Sequence, residues 1–115
     1  MTIQRLHVGK RLSAAVVHNG LVYLSGQVPA DATQDITAQT EDVLATIDRL
    51  LREAGSDKTK LLWAQIFLPD MKDFPAMNAV WEKWVAPGQT PARATVEAKL
   101  ANPVYKVEIM CTAAL

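Results

Sequence analysis

The chain reads as an α+β domain with the element order β-β-β-α-β-α-β-β, folded as a mixed sheet with two helices on one face. Three observations predict it. Asn19-Gly20 marks a tight hairpin, two stretches carry apolar residues at helical spacing, and the strand-like segments around those stretches alternate at a period of two. Strand–helix–strand crossovers share one hand, so both helices are expected on the same side of the sheet.

A first strand is expected at Ile3 to Val8. Asn19 and Gly20 both tolerate the positive φ of a two-residue type I′ turn, which pairs Ser13 to His18 with Leu21 to Gly26. Val43, Ile47, Leu50 and Ala54, with Leu44 and Leu51 beside them, predict a helix over Asp35 to Ala54, with Gly55 as its C′ residue. Leu61 to Leu68 is a short apolar run containing Trp63, Ile66 and Phe67, stopped by Pro69-Asp70, and reads as a well-buried strand. Asp73 is placed to cap a second helix with Pro75 in its first turn. Phe74, Met77, Trp81 and Trp84 form one stripe of that helix, and Pro87-Gly88 ends it. The last two strands are Ala92 to Ala98 and Tyr105 to Cys111, separated by a turn at Asn102-Pro103.

At 115 residues, half of them apolar, the chain has room for one core, so residues 1–115 are read as a single domain. Twelve Lys plus Arg balance twelve Asp plus Glu. With no global positive field to draw in a nucleic-acid backbone or an anionic membrane, neither partner is expected. The uncharged run from Leu12 to Ala30 is broken by the His18-Asn19-Gly20 turn, which excludes a membrane span, and no signal peptide precedes it. One cysteine and two distant histidines, His7 and His18, cannot make a disulfide or a four-ligand zinc site. A cytoplasmic protein with metal-free chemistry is expected. A sheet covered on one side leaves a semi-apolar second face, which points to self-association as a closed cyclic oligomer.

Few side chains can carry chemistry. Arg93 stands inside the small, apolar phrase Pro91-Ala92-Arg93-Ala94-Thr95-Val96-Glu97. An arginine there needs a carboxylate partner, so it is either half of a structural salt bridge with Glu97 or Glu108, or a planar fork for a ligand carboxylate. Glu108, between Val107 and Ile109, is equally out of place. It is either a partner for Arg93 or Lys106, or a carboxylate that accepts a proton or orients water. Ser25-Gly26-Gln27 offers a hydroxyl and accessible amides at a strand end. Asn78 interrupts the apolar stripe of the second helix, where a hydrogen bond to a loop is the plainer reading and a ligand contact the sharper one. Cys111 reads as a small core residue, and the three tryptophans as core or interface.

Three ordered segments carry a resemblance. Ser25-Gly26-Gln27-Val28-Pro29, Asp73-Phe74 with Met77-Asn78, and Pro91-Ala92-Arg93-Ala94 with Val96 and Val107-Glu108-Ile109 resemble the Rid family of reactive imine and enamine deaminases, also called YjgF-like proteins. Asn102-Pro103-x-Tyr105-Lys106-Val107-Glu108 looks most like its compact YoaB-like branch. The resemblance implies a chorismate-mutase-like fold, a homotrimer with inward-facing sheets and clefts between subunits. It also implies hydrolysis of 2-aminoacrylate or its imine tautomer to a 2-keto acid and ammonia, without a cofactor. On that resemblance Arg93 grips the substrate carboxylate, Glu108 holds or activates water, and Ser25, Gly26 and Asn78 line the cleft. Two departures are visible. Leu12 or Ser13 falls where the family's deaminases carry a tyrosine, and the segment after Pro29 is shorter. The alternative is a non-catalytic trimer binding 2-keto acids or similar carboxylated metabolites. RNA cleavage is disfavoured by the zero net charge and the lack of a histidine pair for acid–base work.

Overall fold

The structure, a computed structural model, describes residues 2–115. Its strands are β1 (Gln4–Val8), β2 (Ser13–His18), β3 (Leu21–Leu24), β4 (Leu61–Leu68), β5 (Ala92–Glu97) and β6 (Glu108–Ala114), and its helices α1 (Ile36–Glu53) and α2 (Phe74–Trp84). They form one six-stranded sheet in the order β1-β2-β3-β6-β4-β5, antiparallel throughout except for the parallel β4–β5 pair. The expected order and mixed sheet are both present, and the last strand lies between β3 and β4.

Local chemistry explains the boundaries. Asn19 and Gly20 adopt φ of 55° and 78°, as the hairpin requires. Asp35 caps α1 by accepting from the Ala38 amide at 2.9 Å, and Gly55 leaves it at φ 91°. Asp73 makes no side-chain cap on α2, contrary to expectation. Asp70 instead caps a short 3-10 turn, Met71–Asp73, that runs directly into the helix.

Val43, Leu44, Ile47, Leu50 and Leu51 of α1 and Met77 and Trp81 of α2 pack on Ala15, Val17, Val22, Leu24, Ala64, Ile66, Leu68, Ile109, Cys111 and Ala113. Both helices therefore cover one face. The opposite face leaves Tyr23, Trp63, Val96 and Met110 at 38–47 % exposure. Trp63, next to the inward-facing Ala64, points by alternation to this open face and is not part of the core; Leu61 pairs with Ala113 and Trp63 with Thr112, so one extra residue bulges at Leu62, which returns Leu61 to the helix-covered face and leaves Leu62 exposed.

The last strand begins three residues later than the alternation of Tyr105 to Cys111 suggests. The cause is Gln39, fully buried on α1. Its Nε2 donates to the carbonyls of Ala32, Gln34 and Val104 at 3.2, 3.0 and 3.1 Å, and its Oε1 accepts from the Lys106 amide at 2.8 Å. That side chain takes the backbone groups a strand would have used, so pairing starts at Glu108, opposite Phe67.

Candidate active site

The predicted site residues fall into two groups on opposite faces of the sheet. Ser25, Gly26 and Glu108 lie together. From the Tyr23–Thr112 pair to the Gln27–Ile109 bridge the chain takes four steps on one side and three on the other, so one extra residue bulges at Ser25-Gly26. Gln27 and Ile109 exchange backbone hydrogen bonds of 2.8 and 3.0 Å that close the bulge. β3 therefore ends at Leu24 rather than Gly26. The Glu108 carboxyl group occupies the space above Gly26: a Cβ built there would overlap Oε2 and stand 3.0 Å from Cδ. Only glycine leaves room for it. Ser25 is less free than expected, since its hydroxyl donates to the Ala14 carbonyl at 3.3 Å and accepts from Gln27 Nε2 at 3.1 Å.

The second group lies under α2. Arg93 pairs with Ala64 and so shares the helix-covered face, where its guanidinium carbon sits 5.4 Å from the Trp81 ring centre and 5.9 Å from that of Phe74. Phe74, Asn78 and Trp81 follow at i, i+4 and i+7, which sets Asn78 on the helix stripe between the two rings. Its Oδ1 is buried and has no hydrogen-bond partner, so the expected bond to a loop is absent. Thr95, two residues along β5 from Arg93 and on the same face, also has a buried oxygen without a partner. The sequence reading passed over it, because a threonine in a strand is ordinary; its unsatisfied oxygen is visible only in three dimensions.

Neither charge is paired. Among the described residues the ion pairs are His7–Glu53, Arg49–Glu53 and Lys72–Asp70, so the structural salt bridges considered for Arg93 and Glu108 do not form. Glu97 is engaged elsewhere, accepting from the Met71 amide at 3.4 Å. Burial pushes the Arg93 guanidinium below its ordinary pKa, and the charge of Glu82 partly opposes this. Arg93 is thus held against two rings and partly desolvated, with no carboxylate at salt-bridge distance among the described residues and Glu82 as the acidic charge acting on it, so its fork is free to donate to an anion. Burial also pushes the Cys111 thiol up to about 12, consistent with an inert core residue.

Residues 2–115 match the family model described as Endoribonuclease L-PSP. The chain belongs to that family. Within it, the chain is 47% identical to the RutC family protein YoaB of Escherichia coli over the full length of both chains. A crystal structure of a YjgF family member from Neisseria meningitidis shares 53% identity at a TM-score of 0.97, covering 99% of this chain and 95% of that one. The 3-aminoacrylate deaminase RutC of Acinetobacter baylyi is 36% identical, over 83% of this chain and 79% of its own. The family resemblance read from the three segments is therefore correct, and so is the fold it implied. No helix among the described residues is long and apolar enough to cross a membrane.

Proposed function

We propose that this family member is a cofactor-independent hydrolytic deaminase of small carboxylated enamines and imines, of the 2-aminoacrylate or 2-iminopropionate type, releasing a 2-keto acid and ammonia. The observation that carries it is the unpaired Arg93 guanidinium, whose fork fits a carboxylate with two parallel hydrogen bonds. The relative named as a 3-aminoacrylate deaminase supports the reaction class.

Within one protomer Arg93 and Glu108 cannot meet on one small substrate. Their partners on β4, Ala64 and Phe67, are three residues apart, and β4 separates β5 from β6. Three residues along and two strand spacings across put the two Cα atoms about 14 Å apart, with side chains on opposite faces. A site using both must therefore be assembled from two copies. The exposed apolar face and the position of β5 at a sheet edge support a homotrimer whose clefts bring Arg93 of one copy to Glu108 of the next.

In that cleft the carboxylate is clamped by Arg93, which fixes the neighbouring C=N carbon. An enamine first takes a proton at its terminal carbon and gives one up from nitrogen, becoming its imine tautomer. Glu108 removes a proton from water as the water oxygen bonds to the imine carbon, and a proton passes to nitrogen. The resulting carbinolamine passes its hydroxyl proton to nitrogen, the C–N bond breaks as the C=O bond forms, and nitrogen leaves as ammonia. One water is consumed, and the carbon skeleton departs as the keto acid.

The test is turnover of freshly generated 2-aminoacrylate, followed as keto acid or ammonia. Glu108→Gln is expected to lower turnover by roughly two to four orders of magnitude with carboxylate affinity retained. Arg93→Lys should instead impair binding in a folded protein, since an ammonium lacks the fork. Ligand binding without any acceleration would make the protein a binding module for keto acids. Parental turnover in both variants would remove the mechanism.

A further inference from the structure

We propose that Gln27 is a positioning residue for the proposed hydrolysis: its side-chain amide holds the Ser25-Gly26 peptide in one orientation and so gives the Glu108 carboxyl group a fixed seat. The inference rests on the reading of Glu108 as the group that takes the water proton and adds what keeps that group in place.

The bulge is pinned at both ends. The Ser25 amide donates to the Ala14 carbonyl at 3.0 Å and its hydroxyl to the same oxygen at 3.3 Å, which ties the entrance of the bulge to β2. At the exit the Gln27 backbone exchanges hydrogen bonds with Ile109, the chain neighbour of Glu108. Gly26 stands between them, exposed, and neither its amide nor its carbonyl joins the ladder. A peptide flanked by glycine rotates easily, because no Cβ restricts its dihedrals. The Ser25–Gly26 peptide would therefore turn between its pinned ends but for one contact. Gln27 Nε2 folds back across Gly26 and donates to the Ser25 carbonyl at 3.0 Å and to Ser25 Oγ at 3.1 Å. Since the peptide is planar, holding its carbonyl fixes its N–H as well. The Glu108 carboxyl group rests against Gly26, so if that peptide turns, the floor beneath the carboxylate turns with it. The clamp also settles the role of Ser25. Its one proton goes to Ala14 and one lone pair to Gln27, which keeps the hydroxyl out of the proton transfers assigned to Glu108.

The experiment measures turnover of freshly generated 2-aminoacrylate and the dissociation constant of pyruvate for the parent, Gln27→Met, Gly26→Ala and the double variant. Methionine keeps the length of the side chain and removes its donors. Gln27→Met is expected to lower turnover about 10- to 100-fold, the range for a catalytic group misplaced by up to about 1 Å. Pyruvate affinity should be unchanged, because its carboxylate is held from the other face of the sheet. In the Gly26→Ala background the same change should lower turnover by less than about 3-fold, since alanine both stiffens the peptide and has already displaced Glu108. Gln27→Glu, which keeps the shape and replaces the donor by an acceptor, should lose at least as much as Gln27→Met. Parental turnover in either variant of Gln27 would overturn the proposal while leaving the deaminase reading intact. So would an equal fold-loss with and without Gly26→Ala, a matching loss of pyruvate affinity, or a Gln27 variant that no longer folds, each of which would make Gln27 merely structural. No turnover by the parent would overturn the deaminase reading and this proposal together.

Discussion

Gly26→Ala tests how tightly the position of Glu108 is specified. A Cβ at residue 26 would overlap the Glu108 carboxylate, with Cδ at 3.0 Å and Cγ at 3.3 Å. Non-bonded heavy atoms in ordinary contact stand well over 3 Å apart, so the carboxyl group, whose Oε2 lies deepest in the overlap, must retreat by roughly 1 Å or more. Gly26 is not in the left-handed region, unlike Gly20, Gly55 and Gly88, so alanine is compatible with its backbone. The gain of about 0.4–1 kcal/mol from a stiffer unfolded chain is offset by an off-rotamer Glu108 costing about 0.5–1.5 kcal/mol. Stability should therefore change by less than about 1 kcal/mol in urea unfolding. Turnover should not be spared, because misplacing a catalytic group by about 1 Å costs on the order of 10²-fold. Affinity for a carboxylate, which depends on the opposite face, should stay at the parental value. The assay is keto acid release from 2-aminoacrylate with dissociation constants measured in parallel. The double variant Gly26→Ala/Glu108→Gln should be no slower than Glu108→Gln alone, since both changes act on one carboxylate. A well-folded Gly26→Ala protein with undiminished turnover would refute the idea that the carboxylate works from above Gly26.

Three further outcomes are expected. Gln39→Leu strips four backbone groups of a buried partner and should destabilise the fold by roughly 2–4 kcal/mol in chemical denaturation, lowering turnover as the start of β6 loosens; a loss under 0.5 kcal/mol would contradict it. Met110→Glu puts a charge in the middle of the exposed apolar sheet face without touching the core, so light scattering should fall toward the mass of one chain while the far-ultraviolet spectrum is kept. Cys111, with its thiol pushed up to about 12, should resist thiol reagents at pH 8 until the protein unfolds. Because its folded pKa lies above the unfolded value of about 8.5, its contribution to stability is complete below pH 8.5 and declines as pH rises toward 12.

The strand and helix order, the hairpin at Asn19-Gly20, the end of α1 at Gly55 and the buried faces of both helices were legible in the sequence, because each follows from neighbours a few residues apart. So was the family, through short segments around Ser25, Asn78, Arg93 and Glu108. Tertiary structure decided what depends on partners distant in the chain. Gln39 is 67 residues from Lys106, and only its buried amide explains why β6 begins at Glu108 instead of Tyr105. The bulge at Leu62, which turns Leu61 back into the core, arises from pairing with β6, which no pattern within β4 records. Alternation alone could not say that Arg93 and Glu108 face opposite ways, since a strand's two faces acquire meaning only when helices cover one of them. That geometry, with a stacked arginine on one side and a carboxylate over a glycine on the other, is what the proposed two-copy site rests on.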